Sequence, residues 1–387
     1  MKIITSTTDL AEFCDAAKNF DFVTVDTEFL RETTYWPILC LVQMATPEEA
    51  VIVDPMVEGI DLSPMFELFQ DTSVVKVFHA AKQDIEIFVK LSGKAPQPVF
   101  DTQVAAAVCS FGDSISYDNL VRQITGTQVD KSSRFTNWSH RPLTDKQLTY
   151  AIGDVTHLRD CYLHIANLLE EKDRRPWIEA ELNALMDKEN YLVKPEEAWK
   201  RLKMKVNRPR DLAMMIELAA WRERKAQQQD VPRGRVVKDD AIYELAQQQP
   251  NSAKAFDRLR SFSKGFGRSS SAEEIIKIVT RVQAIDKDDL PKVPRKPNGP
   301  SPKGAIGDLL RVLLKAVSEN QGVAPRIIAS SDDIDQIVLD DNALVPALAG
   351  WRRDVFGDLA LSIKNGKMAL GATPDGIVPI EVDVQAE

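Results

Sequence analysis

The stretch Phe22-Val23-Thr24-Val25-Asp26-Thr27-Glu28-Phe29 decides how the chain is read. Its β-branched and aromatic opening reads as a strand. Asp26 and Glu28 stand two apart at its end, and side chains at i and i+2 share a face. Two carboxylates there repel unless something cationic lies between them, although D-x-E alone also describes a solvated strand end. Working outward, Ile38-Leu39-Cys40-Leu41-Val42 and Ala50-Val51-Ile52-Val53 are further strands, closed by Asp54-Pro55. Three strands without an intervening helix predict an antiparallel meander. A helix is expected from Leu62 to Phe69, a strand at Val74-Val75-Lys76-Val77-Phe78, and a helix from Ala81 to Leu91 on the spacing of Ile85, Phe88 and Val89. Helical patterns dominate from Thr102. The longest runs from Thr144 to Glu171 and opens with Thr144 and Gln147 at capping-box spacing. The layout is an α/β domain with a mixed sheet followed by helices.

Two further acids lie on predicted helices. Asp84 falls in the first turn after a strand, where an acid also suits the helix dipole. Tyr150 and Asp154 are four apart and share a helical face with apolar neighbours, where a carboxylate needs a partner. Asp26, Glu28, Asp84 and Asp154 together fit a site for hard divalent cations, which prefer oxygen ligands. Two such ions stabilise both the attacking and the leaving oxygen of a phosphoryl displacement.

The chain has 387 residues, 44% hydrophobic and 28% charged, enough for two or three domains. No apolar run reaches the ~18–20 residues of a membrane span, and with Asp9 reached before any long apolar core a secretory signal is not expected. Cys14, Cys40, Cys109 and Cys161 form no C-x-x-C pair and combine with no histidine at zinc-finger spacing, so a reducing, cytoplasmic setting is expected. The net charge of −9 divides unevenly: −13 over residues 1–200, +8 over 201–295 and −4 over 296–387. The basic stretch suggests a polyanion-binding surface, entered through Arg201, Lys203, Lys205, Arg208 and Arg210. Helical patterns fill Asp211 to Val282, prolines from Pro291 to Pro302 mark a linker, and Gly304 to Leu361 is again helical. Residues from Gly371 onward lack periodicity and read as a tail.

The order Asp26-x-Glu28, His79-Ala80 with Asp84, and Tyr150-x-x-x-Asp154 resembles the DEDD exonucleases of the tyrosine subgroup. Thr27-Glu28-Phe29-Leu30-Arg31, Thr34-Tyr35-Trp36-Pro37, Leu41-Val42-Gln43 and Trp138-Ser139-x-Arg141-Pro142-Leu143 narrow this to a likeness to the bacterial ribonuclease D family, over about residues 1–170. Trp221-Arg222, Ala226, Asp230-x-Pro232, Val236, Asp239 and Ile242 are similar to the helical domain shared by RecQ-type helicases and ribonuclease D. The resemblance implies a ribonuclease-H-like exonuclease domain over residues 1–200, a helical domain over 207–286, a linker over 287–303, and a degenerate second helical domain over 304–370, marked by Trp351-Arg352. It implies a 3′→5′ exoribonuclease that trims structured RNAs such as tRNA precursors and releases nucleoside 5′-monophosphates with two Mg²⁺ or Mn²⁺ ions. Asp26 would bridge both ions, Glu28 and Asp154 would hold the one carrying the attacking water, Asp84 the second, and Tyr150 would orient the water. The expected partner is RNA, the expected state a monomer, and no membrane is involved. A non-catalytic RNA-binding protein and a DNA exonuclease are the competing readings; retention of all four acids and Tyr150 speaks against the first.

Thr149 stands where the histidine subgroup places its histidine, five residues before Asp154. His79 is expected to pack or cap at its strand end. His157 and His164, seven apart, are expected on one helical face rather than on a metal. Asn137 stands where the family carries Asp before Trp138, a departure that touches the RNA contacts of this loop rather than the metal site. Phe262 and Phe266 are readable either as base-stacking residues or as core.

Overall fold

The computed structural model describes residues 2–204, 206–293 and 304–382. The fold opens with β1 (Lys2–Ile4), α1 (Thr7–Ala17), β2 (Phe22–Leu30), β3 (Ile38–Ala45), β4 (Ala50–Val53) and α2 (Ser63–Gln70). It continues through β5 (Val75–Phe78), α3 (Lys82–Ser92), β6 (Val99–Asp101), α4 (Thr102–Ala106), α5 (Tyr117–Thr125) and α6 (Asp145–Glu171). The six strands form one sheet in the order β1-β4-β3-β2-β5-β6. β3 and β4 pair antiparallel, as the meander requires, with Val42 opposite Val53. β2 runs parallel to β5 (Thr24 opposite Val77), β5 to β6 (Phe78 opposite Asp101), and β1 to β4. β1 and β6 have no counterpart in the sequence reading. At three residues each, on the sheet's edges, they are too short to show alternation.

β2 places the first pair of acids because it is central. Val23, Thr24 and Val25 are buried, and exposure rises only toward Leu30. α6 lies against the sheet through Leu148, Ala151, Val155, Leu158, Cys161, Ile165 and Leu169, a stripe at helical spacing. Its start is fixed by the expected capping box: Gln147 N–H donates to Thr144 Oγ1 at 3.3 Å, and Thr144 N–H donates to Gln147 Oε1 at 3.0 Å.

The chain divides into two compact units. The first comprises residues 1–28, 40–187 and 297–387. After α7 (Glu179–Met186), the second takes over with α8 (Pro209–Gln229), α9 (Arg233–Val236), α10 (Asp239–Gln248) and α11 (Ser270–Gln283). It comprises residues 29–39 and 188–296. Its core gathers Met214, Leu218, Ile242, Leu245, Phe256, Ile275 and Val279. Phe262 and Phe266 sit at its border, partly buried and in ring contact with each other and with Phe256, as the core reading expects. Residues 29–39 are fastened to this unit by Tyr35. Its hydroxyl donates to Glu223, and it accepts from Arg233 Nη2 at 3.0 Å and Gln227 Nε2 at 3.1 Å. Asp230 accepts from the amides of Tyr35 and Trp36 at 3.1 and 3.0 Å.

The chain then re-enters the first unit through α12 (Ala305–Gln321), α13 (Pro325–Ile328), α14 (Ser331–Leu339), α15 (Gly350–Arg352) and α16 (Asp358–Lys364). Leu310, Leu313, Ile337 and Phe356 share one hydrophobic core with Phe100, Leu158, Ile165 and Leu169. The segment repeats the second unit's layout. A long helix ends in a left-handed residue, Asp230 (φ 49°) or Gly322 (φ 61°), and is followed by a four-residue helix starting at Arg233 or Pro325 and a longer one starting at Asp239 or Ser331. In this register Trp221-Arg222 corresponds to Leu313-Leu314, so Trp351-Arg352 is not the second copy of that pair. Trp351 instead stacks face to face on Trp177 of the same unit, with ring centroids 4.3 Å apart. Gly322 has a further reason to be glycine: a Cβ there would come within 2.4 Å of Ser110 Oγ.

Residues 371–382 correct the expectation of a tail. β7 (Met368–Thr373) and β8 (Gly376–Glu381) form an antiparallel hairpin. Its turn, Thr373-Pro374-Asp375-Gly376, carries Pro-Asp-Gly chemistry that signals a turn regardless of periodicity. The linker prolines from Pro294 to Pro302, together with the end of the chain from residue 383, lie outside the described residues.

Candidate active site

Asp26 and Glu28 leave β2 on the same face, as their spacing requires. Asp154 reaches the same point from α6, and carboxylate oxygens of all three lie within 4.8 Å of one another. Asp84, buried in the first turn of α3, lies close enough to Asp26 to raise its own proton affinity. Tyr150, one turn before Asp154, donates a hydrogen bond to its carboxylate.

The electrostatics show what the cluster lacks. Burial, reinforced by the charge of Asp154, holds the Asp26 carboxyl well above the usual carboxylate range. Burial and then Asp26 do the same for Asp84. Burial, then Asp26, Asp154 and Asp84, push Glu28 up to about 10. Asp154 rises to about 7 through burial, moderated by the Tyr150 hydrogen bond and by Arg134. Carboxyls pressed together without a cation hold their protons. A divalent cation supplies the missing charge, and an all-oxygen donor set suits a hard ion. Burial, with Asp154 next, also raises the Tyr150 phenol, so its hydroxyl holds its proton and donates.

Several residues that the sequence reading missed hold these acids in place. Thr27 Oγ1 donates to Asp84 Oδ1, tying β2 to α3. Asp101 accepts from the amides of Ala80 and Ala81 at 3.0 and 2.9 Å, pinning the turn that leads into α3. Ala80 has φ 60°, a left-handed conformation costing a non-glycine residue ~1 kcal/mol or more. Thr24 Oγ1 donates to Val155 O at 2.8 Å, and the Tyr117 hydroxyl lies 3.0 and 2.8 Å from the carbonyls of Gly153 and Asp154. The Thr24 bond fixes the axial register of α6 against β2, and the Tyr117 bonds fix it against α5. None carries a local signal, because each joins residues far apart in sequence. His79 behaves as expected: its ring nitrogens lie 3.0 Å from Thr102 Oγ1 and 3.1 Å from Ile115 O.

The basic candidates divide. Arg201, Lys203 and Arg208 are exposed, and Arg208 lies 3.4 Å from Asp211. Lys205 lies outside the described residues. Arg210 departs from its expected role. Three of the five N–H donors of its guanidinium go to the carbonyls of Val282, Gln283 and Ile285 at 2.7–2.9 Å, so the side chain closes the end of α11 rather than standing free.

A six-stranded mixed sheet with acids converging from β2, α3 and α6 is the architecture the resemblance to ribonuclease-H-like 3′→5′ exonucleases implies, and the comparisons bear that class out. Residues 1–170 match the 3′-5′ exonuclease family, and residues 211–279 the HRDC domain. The chain is 49% identical to ribonuclease D of Nitrobacter hamburgensis, with 98% of this chain and all of that one aligned. It is 47% identical to ribonuclease D of Bartonella henselae, over 95% of this chain and 91% of the other. It also resembles the crystal structure of Escherichia coli RNase D, described as an exoribonuclease involved in structured RNA processing, with a TM-score of 0.83 and 29% identity over 94% of this chain and 98% of that one. The chain belongs to the ribonuclease D family and is a 3′→5′ exoribonuclease. No helix among the described residues is long and apolar enough to cross a membrane.

Proposed function

We propose that Asp26, Glu28, Asp84 and Asp154 hold two divalent cations, Mg²⁺ or Mn²⁺, and that the enzyme trims the 3′ ends of structured RNAs such as tRNA precursors. The observation that carries this reading is the convergence of Asp26, Glu28 and Asp154 to within 4.8 Å, with their proton affinities raised. Bound there, the cations supply charge stabilisation at the attacking and leaving oxygens. Asp26 would be held in common by the two cations, with Glu28 and Asp154 holding one of them and Asp84 the other. Tyr150, kept protonated, orients the attacking water. Water adds to the terminal phosphorus, the bond to the preceding 3′ oxygen breaks, that oxygen takes a proton, and a nucleoside 5′-monophosphate leaves. Exposed Arg201, Lys203 and Arg208 meet RNA phosphates. The repeated helix layout supports a second, degenerate helical domain after residue 304. The enzyme works as a cytoplasmic monomer. Incubation with 3′-labelled RNA tests the centre: chelator should abolish nucleotide release and added Mg²⁺ or Mn²⁺ should restore it. Full activity in excess chelator would overturn the proposal.

A further inference from the structure

Residues 131–138 lie between α5 and α6, and the loop they form is braced. Gln147 Nε2 donates to Thr136 Oγ1 at 3.1 Å, and Trp138, buried, has its ring 6.0 Å from that of Tyr150. The braces hold the loop beside the part of α6 that carries Tyr150 and Asp154. Two side chains on it are left over. Phe135 is 90% exposed, an expensive way to leave an aromatic ring. Arg134, also exposed, has its guanidinium carbon 5.3 Å from the Phe135 ring centroid and makes no ion pair among the described residues. The braces from Thr136 and Trp138 onto Gln147 and Tyr150 set Arg134 on the Tyr150 side of α6, beside the acid cluster.

We propose that Arg134 and Phe135 form a clamp for the 3′-terminal nucleotide: Phe135 stacks on its base, and Arg134 pairs with the phosphate presented to the acids. The chemistry fits a single-stranded end of any sequence. Every base offers a π-face, and stacking on an aromatic contributes ~1–3 kcal/mol per base, about 5- to 150-fold in affinity. A guanidinium offers a fork matched to phosphate oxygens, and a cation at the rim offsets the repulsion between RNA and four carboxylates. The inference rests on the acid cluster being the hydrolytic centre, and its test is separable from that reading.

The test pairs a residue change with a base change. Wild type, Phe135→Ala and Phe135→Trp are compared on short single-stranded RNAs whose 3′-terminal nucleotide either carries its base or is abasic. With the base present, Phe135→Ala should raise KM about tenfold with kcat little changed, and Phe135→Trp should restore it. On the abasic end, wild type should lose the same factor and Phe135→Ala should lose nothing further. A 2-aminopurine at the 3′ end, bound in chelator so that nothing is cleaved, should be quenched by wild type and by Phe135→Trp but not by Phe135→Ala. Arg134→Gln should weaken binding equally for both ends and flatten its salt dependence. An equal penalty from Phe135→Ala on both ends, or unchanged quenching, overturns the clamp while leaving the hydrolytic centre standing. Wild type inactive with metal on every substrate, yet quenching the probe, rejects the centre instead.

Discussion

Asp154 shows how one residue answers to conflicting demands. It is buried, sits near two other acids, and keeps its proton up to about pH 7. An unfolded Asp ionises near 3.9, so between about pH 4 and 7 the native metal-free chain binds more protons than the unfolded one. Stability in chelator should therefore fall as pH rises through that window. Asp154→Asn should melt higher than wild type above pH 7 in chelator, with a flatter pH dependence between 4 and 7, while its turnover with Mg²⁺ drops at least ~100-fold. Melting curves at several pH values and a nucleotide-release assay check both halves. A variant that melts no higher in chelator would show that the acids do not repel. Thr27 makes a subtler case, since its hydroxyl only orients Asp84. Thr27→Val keeps the shape and removes the donor; turnover should fall about tenfold, with saturation by Mg²⁺ shifted to higher concentration. Each acid alone was a weak signal; the four acids and Tyr150 became legible through their order and spacing, which carry the family resemblance. Thr27, Asp101 and Tyr117 were not, because a hydroxyl or a carboxylate that bonds to a distant neighbour looks like any other.

Elements bring those residues together, and α6 is the clearest example. Its 27 residues were readable nearly to the residue, because the apolar stripe is long and the capping box marks the start. What the stripe leaves open is axial position, and a slide of one residue, ~1.5 Å, would misplace Asp154. Thr24 and Tyr117 supply that constraint. Tyr117→Phe should lower stability by about 1 kcal/mol, the net worth of a buried hydrogen bond, and should lower kcat more than it raises KM. Denaturant unfolding and steady-state kinetics measure both; a loss of stability with unchanged kcat would confine Tyr117 to packing. The same limit explains the segment after residue 304. Its helices were visible as amphipathic patterns, but an apolar face does not name its partner, and Leu310, Leu313 and Phe356 turn out to complete the core behind α6.

At the scale of the whole molecule, that shared core makes a deletion prediction. A chain ending at residue 293 keeps every acid of the site but removes Leu310, Leu313, Ile337 and Phe356 from the core. Each large apolar side chain lost is worth ~2–5 kcal/mol against a total stability of ~5–15 kcal/mol, so the shortened chain should fail to fold. Loss of its cooperative thermal transition and of all nuclease activity is the expected outcome; an active, folded fragment would show the catalytic unit to be self-sufficient. Phe356→Ala in the full chain gives the graded version, with a drop of ~3–5 kcal/mol in unfolding free energy.

The path of the chain has one more consequence, at the ribosome. Polypeptide emerges from its N-terminal end, and domains generally fold as they emerge. Here residues 29–39 must wait for Glu223, Asp230 and Arg233, and α6 must wait for Phe356. Neither unit can close while translation is in its first half. Ribosome-bound chains stalled at residue 293 should be cut by protease within residues 1–187, whereas chains released at full length should resist. A ribonuclease assembled in this order gains its hydrolytic centre only once nearly all of it has been made.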